Sequence, residues 1–491
     1  MSQRDSRHVR GRLYRWLPVA VVLALLVAAG AAYRFDVGER WFDVEPTAPA
    51  DKPGDGPADV APPPGLELPT SVPAGPVAEP AVASPLDRAT VRRAIGRQFQ
   101  NPEIGKRFSA LVAPLADGGP ALSRGDGVLM PASTLKLLTA AAALSTIDAG
   151  TRFATTVVQP GPRRIVLVGG GDPYLASRPT SAADRARTYP ARADVVTLAR
   201  RTANALKKQG TSTVRLSYDD SLFSGPVASP GWEPTYLPEA VVAPITALWV
   251  DRGVDDSGFG RVSDPSLRAA QVYAAALAKV GIRVTGALQR AKAPGAAGEL
   301  ARVESAPVEQ IVQHVLDVSD NEGAEVLGHQ VGLASDGDGS FAGGVRGVTT
   351  SMRSLGVDMS GAILHDGSGL SRQDRLRPQT LVDVLRVAAD PARPELRPVL
   401  EGLPVAGFTG SLADRFAEGD PAGGGRVRVK TGTLTGVRAL AGLVSDLDGN
   451  LMVLVMIANG VPADETRDAK SRLALEKAAA SLAGCHCGSA A

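Results

Sequence analysis

The sequence is poor in cysteine, in aromatic residues and in net charge. Its 491 residues include two cysteines, and only 4% are Phe, Trp or Tyr. Two cysteines are too few for a disulfide scaffold. The net charge is +2 and no basic stripe interleaved with aromatics occurs, so we exclude nucleic-acid binding. A chain of this length exceeds the usual size of one hydrophobic core, and we therefore expect more than one domain.

The first 33 residues have the pattern of an export signal. Five arginines precede residue 16, and an uncharged apolar run follows from Leu17 to Ala32. This run is intermediate in length between the apolar region of a cleaved signal and a membrane-spanning helix of ~20 residues. We predict that residues 1–16 are cytoplasmic and that residues 17–33 are a signal anchor or a cleaved signal peptide. The rest of the chain is then extracytoplasmic, either anchored to the membrane or secreted.

Two further segments lie outside the expected globular region. Residues 34–85 are rich in proline, alanine and glycine without periodicity. They are predicted to form a linker that could reach on the order of 100 Å in polyproline II conformation. Residues 484–491 contain Cys485, His486 and Cys487, which we interpret as part of a disordered tail rather than as a metal site.

Helical and strand patterns alternate between these segments. Helices are predicted at residues 89–98, 194–209, 265–280, 308–318, 323–333 and 464–482. Strands are predicted at 107–112 as a sheet edge, and at 164–168, 213–218, 425–433, 438–446 and 451–460. The last three strands follow one another directly, which is typical of an antiparallel sheet.

Lysine is also scarce, because only ten of the 53 basic residues are lysines. Lys136 therefore stands out in the otherwise uncharged stretch "MPASTLKLLTAAAAL", residues 130–144. Ser133 and Lys136 are one helical turn apart, within hydrogen-bonding reach. A lysine kept neutral by burial and a nearby cation can take the serine proton, which an arginine cannot do. Pro131 and Ala132 lead into the helix, whose free N-terminal amides favour negative charge at Ser133.

Two further short motifs follow this pair along the chain. Ser319 and Asn321 lie between two predicted helices, and Lys430, Thr431, Gly432 and Thr433 end a strand that we expect to be central in its sheet. A Ser-x-Asn loop alone is commoner as a turn and helix cap, and a Ser-x-x-Lys pair should arise by chance roughly 0.7 times in such a chain. The Lys-Thr-Gly strand offers a cation and a hydroxyl to a carboxylate, and its glycine permits close approach of a substrate. The three motifs in this order are jointly specific.

In this order and on these elements, the motifs resemble those of the penicillin-recognising serine DD-peptidases and β-lactamases. About 185 residues separate Ser133 from Ser319, far more than in a class A β-lactamase. The chain is therefore similar to the class C low-molecular-mass penicillin-binding proteins, the D-alanyl-D-alanine carboxypeptidase/endopeptidase family. The resemblance implies an α+β fold, with a five-stranded antiparallel sheet flanked by helices plus a helical lobe. These would comprise residues 86–155 and 303–483, and residues 156–302 would form one or more inserted domains.

The resemblance also implies an activity and a role for each motif residue. The implied activity is that of a serine D-Ala-D-Ala carboxypeptidase, with or without DD-endopeptidase activity, that acts on peptidoglycan stem peptides. Such an enzyme is acylated by β-lactams, and it needs no metal or organic cofactor. Ser133 would be the nucleophile and Lys136 its base, kept neutral with the help of Lys430. Ser319 would transfer a proton to the departing D-alanine, and Asn321 would bind the peptide amide. The backbone amides of Ser133 and Thr433 would form the oxyanion hole. Lys430, Thr431 and Thr433, beside Gly432, would bind the terminal carboxylate, and Asp219 would bind the substrate's side-chain amine.

Three other interpretations remain at this stage. A β-lactamase would need a dedicated deacylating glutamate between the first two motifs, and none lies in a typical loop context. A penicillin-binding wall scaffold with an idle site would be expected to have lost at least one motif. A Ser-His-Asp triad formed by His365, Asp366 and Ser368 lacks the Gly-x-Ser-x-Gly turn that presents such a nucleophile.

Overall fold

The structure, a computed structural model, describes residues 85–116 and 118–488. The predicted basic segment, the predicted signal segment and all but the last residue of the predicted linker lie outside this described part. Within the described residues, no helix combines the length and the hydropathy needed to cross a membrane.

Each helix and strand predicted from the sequence overlaps an element of the described chain. The strands are β1 (Arg107–Pro114), β2 (Leu122–Arg124), β3 (Arg152–Gly161), β4 (Arg164–Val168), β5 (Thr213–Asp219), β6 (Arg283–Val284), β7 (Gln289–Arg290), β8 (Gly298–Pro307), β9 (Val427–Leu434), β10 (Val437–Ser445) and β11 (Leu451–Asn459). The α-helices are α1 (Arg88–Phe99), α2 (Lys136–Thr146), α3 (Ala182–Arg185), α4 (Val195–Lys208), α5 (Pro265–Lys279), α6 (Val308–Asp317), α7 (Asn321–Asp336), α8 (Phe341–Ser354), α9 (Pro378–Ala389), α10 (Arg397–Glu401) and α11 (Glu465–Ala483).

An antiparallel five-stranded sheet has the strand order β2-β1-β11-β10-β9, which confirms the predicted fold class. Two expectations about this sheet are wrong. β1 is not its edge, because the short strand β2 pairs beyond it. β9, expected to be central, is an edge strand. Its residues resemble those of a central strand because other segments cover them, including residues 404–406, which hydrogen-bond to β9 as far as Val429.

The sheet is buried on both faces. In β11, Val453 and Val455 face a helical lobe that includes α2, α6, α7, α8 and α9. Met452 and Leu454 face the opposite side, where α1 and α11 pack. Because alternate residues of a strand point to opposite faces, burial of both faces requires the unbroken apolar run seen in this strand.

The inserted region forms a second sheet with the order β6-β5-β4-β3-β8, with β7 beside β5. Helices α4 and α5 pack against this sheet. The predicted boundaries at residues 155/156 and 302/303 fall inside β3 and β8. Both strands run continuously into this sheet, and the division of the chain into domains stays a prediction.

Residues 484–488, which follow α11, pack into the fold. Cys485 and Cys487 form a disulfide, and Cys487 is fully buried. The Asp87 amide donates to the Cys487 carbonyl at 2.8 Å, and the Cys487 amide donates to Asp446 Oδ2 at 3.0 Å. The expectation of a disordered tail is therefore wrong for residues 484–488. Among the described residues, no group of three or more His, Cys, Asp or Glu side chains is arranged to hold a metal ion.

Candidate active site

The segment that carries Ser133 is held between β11 and β9. Asn459 of β11 forms two hydrogen bonds with the backbone of Met130, at 2.9 and 3.1 Å. On the other side, a Cβ atom at Gly432 would lie 2.7 Å from the Pro131 carbonyl oxygen. The absence of a side chain at Gly432 therefore permits close contact between β9 and the turn that leads to Ser133. Its expected role in admitting a substrate stays a prediction.

Lys136 begins α2 and is completely buried. Its Nζ lies 2.9 Å from Ser133 Oγ, 2.8 Å from Asn321 Oδ1 and 2.7 Å from the Ser368 carbonyl oxygen. A neutral amine has two protons and one lone pair. The oxygens of Asn321 and Ser368 can only accept hydrogen bonds, so each accepts one from an N–H group of the amine. The lone pair of the nitrogen then faces Ser133, whose hydroxyl can donate a hydrogen bond to it. The geometry is thus suited to a base that deprotonates Ser133.

The electrostatics of Lys136 favour this protonation state. Burial lowers the pKa of Lys136 from its usual 10.5 to about 8, against the opposing charges of Glu325, Asp366, Asp320 and Glu322. A lysine with this pKa has a substantial neutral fraction near pH 8. Burial is thus the dominant cause of the lowered pKa of Lys136.

Lys430 of β9 forms a second buried amine next to the first. Its Nζ donates to Ser319 Oγ at 2.7 Å and to the Thr431 carbonyl oxygen at 2.9 Å. Burial holds the pKa of Lys430 well below its usual value, and the charges of Lys136 and Arg415 lower it further. From the sequence we expected Lys430 to lower the pKa of Lys136, whereas in the structure the charge of Lys136 lowers the pKa of Lys430.

Ser319 occupies a backbone conformation that positions its hydroxyl. Its φ is +61°, in the left-handed region that residues other than glycine rarely adopt. Such strain persists only where the surrounding structure enforces it, and it is concentrated at functional sites. Ser133, Ser319 and Asn321 are each half-buried, so they are accessible to a substrate while both lysines are not.

β9 offers an open backbone edge directly beside these groups. Residues 404–406 hydrogen-bond to it as far as Val429. From Lys430 to Leu434, no backbone hydrogen bond from the described residues covers its outer edge. Thr433 is exposed there and Thr431 is nearly buried. An extended peptide could therefore pair with this edge as an added strand.

The role of the loop of residues 365–371 in this site was not predicted from the sequence. The loop supplies the Ser368 carbonyl that accepts from Lys136. Glu325 of α7 holds the loop in place, because its two carboxyl oxygens accept from the amides of Gly367 and Ser368, each at 2.9 Å. The stretch "HDGSGL" carries a signal for a tight loop in its glycines, but a contact made by a backbone carbonyl leaves no mark on residue type.

The same loop does not form a Ser-His-Asp triad. Asp366 accepts from the amides of Gly369 and Ser371 and from the Trp232 indole. Within the described residues, the Ser368 hydroxyl has no hydrogen bond to a histidine, and it accepts from the Leu370 amide at 3.3 Å. The acidic groups under the loop instead serve its structure, and burial raises the pKa of Glu325 to about 8, with the Asp366 charge adding to the effect.

Asp219 lies at the end of β5 and is buried. Its two carboxyl oxygens accept from the backbone amides of Ser221, at 2.9 Å, and of Ala293, at 2.7 Å. Among the described hydrogen bonds and ion pairs, none joins Asp219 to the three motifs. The structure therefore brings Ser133, Lys136, Ser319, Asn321 and Lys430 together, and it places Asp219 in contacts within the inserted region.

Comparison with known proteins gives a consistent result. A model of the D-Ala-D-Ala carboxypeptidase 3 (S13) family matches residues 91–258 and 255–480. A carboxypeptidase of Mycobacterium tuberculosis is 36% identical over 408 residues, which cover 81% of this chain and 85% of that protein. Carboxypeptidase DacB of Mycolicibacterium smegmatis is 34% identical over 477 residues, which cover 95% and 96%. Penicillin-binding protein 4 of Haemophilus influenzae shares the fold, with a TM-score of 0.66 at 22% identity over 81% of this chain and 98% of that one.

Proposed function

Since the chain belongs to the S13 family of D-Ala-D-Ala carboxypeptidases, we propose that it hydrolyses the terminal D-Ala-D-Ala bond of peptidoglycan stem peptides through an acyl-enzyme on Ser133. The membership confirms the family and the class of enzyme predicted from the three motifs. The observation that carries the proposed mechanism is the contact of 2.9 Å between Nζ of the fully buried Lys136 and Oγ of the half-buried Ser133.

In the first step, Lys136 takes the proton of Ser133, and Ser133 Oγ attacks the carbonyl carbon of the penultimate D-alanine. The oxyanion that forms is assigned to the backbone amides of Ser133 and Thr433. Such preorganised donors usually contribute the largest share of the barrier reduction. The open edge of β9 supports this assignment, because it lets the peptide lie beside Thr433.

In the second step, the bond to the terminal D-alanine breaks. Ser319 passes on to the departing nitrogen the proton that Lys136 took from Ser133, which leaves Lys136 neutral again, and Lys430 donates a hydrogen bond to Ser319 Oγ throughout. Asn321 holds the peptide amide, and Lys430, Thr431 and Thr433 bind the terminal carboxylate. Water then hydrolyses the acyl-enzyme with Lys136 again as base. These steps use side chains, backbone amides and water.

The same chemistry serves two substrates that differ in the leaving group. A carboxypeptidase releases free D-alanine, and a DD-endopeptidase releases the amine of a second stem peptide. We propose Asp219 as a candidate ligand for the substrate's side-chain amine. To bind it, the carboxylate would have to give up a hydrogen bond with one of the two backbone amides that it now accepts from. We also place the enzyme outside the cytoplasmic membrane, anchored or released through residues 17–33.

Release of D-alanine from a pentapeptide stem tests this function. We expect the full chain to release one D-alanine per peptide and to lose this activity in step with covalent labelling by a fluorescent penicillin. A crosslinked dimer assayed in parallel distinguishes endopeptidase from carboxypeptidase activity. No release from either substrate, or release that continues after complete labelling, would contradict the proposal.

The pH dependence of acylation follows from the lowered pKa of Lys136. Only the neutral amine can take the serine proton, and its pKa of about 8 means that the proton is lost as the pH rises through that value. The second-order rate constant for penicillin labelling should therefore rise about tenfold per pH unit below 8 and level off above it. Stopped-flow labelling between pH 6 and 9.5 measures this profile. A rate constant that is flat from pH 6 to 8 would show that Lys136 is not the base.

A further inference from the structure

Two arginines of the inserted region form ion pairs with the carboxylates on either side of Asn321. Arg252 Nη1 lies 3.4 Å from Asp320 Oδ1, and Arg261 Nη2 lies 3.0 Å from Glu322 Oε1. The side chains of Asp320 and Glu322 are only 0% and 5% exposed. Within the described part of the chain, each carboxylate has no other ion-pair partner. The charges that compensate these buried groups thus come from outside the peptidase domain.

Both arginines belong to one loop, residues 251–261, which we call the clamp loop. Asp251 and Arg252 have φ angles of +51° and +55°. Two consecutive non-glycine residues in the left-handed region are unusual, and such strain persists only where the surroundings enforce it. An antiparallel bridge between Val254 and Arg261 closes the loop. The clamp loop is therefore built to hold one conformation.

The pairing bears directly on the geometry of the site. Asp320 caps the N terminus of α7, and Asn321 is the first residue of that helix. A buried carboxylate that loses its partner must move toward water or take up a proton, because an isolated buried charge is very costly. Since Ser319 and Asn321 are the immediate neighbours of Asp320, such a movement would displace both groups that contact the site lysines.

The electrostatics agree with this geometry. Burial acts to raise the pKa of Asp320, but the charge of Arg252 and the Gly323 amide hold it below its usual value. At Glu322, burial and the charge of Asp320 together raise the pKa in spite of Arg261. Asp320 is thus the carboxylate that depends more strongly on its arginine.

We propose that the inserted region is a working part of the active site, in which Arg252 and Arg261 are positioning residues that hold the turn from Ser319 to Asn321 against the two lysines. The inference rests on the proposed function, because it concerns the rate of acylation of Ser133. The clamp loop would thus affect turnover although it does not contact the substrate.

The test measures turnover in Arg252→Gln and Arg261→Gln, each in the full chain. Active sites are counted by saturating penicillin labelling, so that any unfolded fraction does not enter the rate. We expect kcat for D-alanine release to fall about 10- to 100-fold in Arg252→Gln, with KM within about threefold of wild type, since small misplacements of reacting groups have effects of this size. Arg252→Lys should recover part of the loss. Arg302→Gln, which removes an arginine from an exposed pair in the same region, is the matched control and should be unchanged.

A double-mutant cycle shows whether Arg252 acts through Asp320. Asparagine can replace aspartate as a helix cap, so Asp320→Asn leaves the cap in place. In that background, Arg252→Gln should lower kcat by less than about threefold, because the pair is already absent. Wild-type kcat in Arg252→Gln and Arg261→Gln, an effect on KM alone, or fully additive effects in the cycle would overturn the proposal. Absence of penicillin labelling in the wild-type chain would instead refute the proposed function.

Discussion

Replacing Ser133 by alanine is expected to abolish covalent labelling by penicillin and to lower D-alanine release by a factor on the order of 10⁴ or more. Among the described residues, Ser133 Oγ is the only hydroxyl oxygen hydrogen-bonded to Lys136 Nζ. The other two acceptors, the amide oxygen of Asn321 and the carbonyl of Ser368, are not nucleophiles. Among the described residues, no other group bonded to Lys136 can therefore take over the attack.

The variant should remain folded, because Ser133 is half-buried and the hydroxyl that it loses contacts only Lys136 among the described residues. Its thermal unfolding midpoint should lie close to that of the wild type. Ser354→Ala is a matched control, because Ser354 is exposed at the end of α8 and its hydroxyl contacts only its own helix. Labelling of Ser133→Ala at a measurable fraction of the wild-type rate would mean that another residue is the nucleophile.

The local structure around the site was predictable because it depends on short-range patterns. The buried face of α2, the strand that contains Lys430 and the break before Asn321 all follow from the spacing of apolar and polar residues. The five motif residues were found because each motif requires particular residue types at fixed positions. In the structure, Lys136 is hydrogen-bonded to Ser133 and Asn321, and Lys430 is hydrogen-bonded to Ser319.

The remaining features depend on long-range contacts that leave little trace in residue type. The edge position of β9 escaped prediction because residues 404–406 and the turn before Ser133 help to bury most of its residues from 427 to 432. The support of the Ser368 carbonyl by Glu325 escaped it because a backbone oxygen is common to every residue. In the sequence, Asp320 and Glu322 have the pattern of an ordinary cap and first-turn residue of a helix, and the structure agrees. The arginines that explain their burial lie about 60 to 70 residues away in the chain.

Lys136→Arg should lower the rate constant of acylation by roughly 10³-fold, within the range that a general base supplies. A guanidinium has enough protons to serve the oxygens of Asn321 and Ser368, so these contacts can persist. It has no lone pair to accept the proton of Ser133, and it stays protonated at any pH at which the protein is folded. The variant therefore separates the basicity of Lys136 from its contribution as a positive charge.

The pH profile makes this distinction sharper. In the wild type, acylation should rise with pH through about 8, the pKa of Lys136, whereas in Lys136→Arg the residual rate should lose that rise. Lys279→Arg is the matched control, because it makes the same substitution at an exposed lysine and should leave both rate and profile unchanged. If Lys136→Arg retained a tenth or more of the wild-type rate, a charge at this position would suffice. The base would then have to be sought elsewhere, with the amine of Lys430, equally buried and bonded to Ser319, as the nearest alternative.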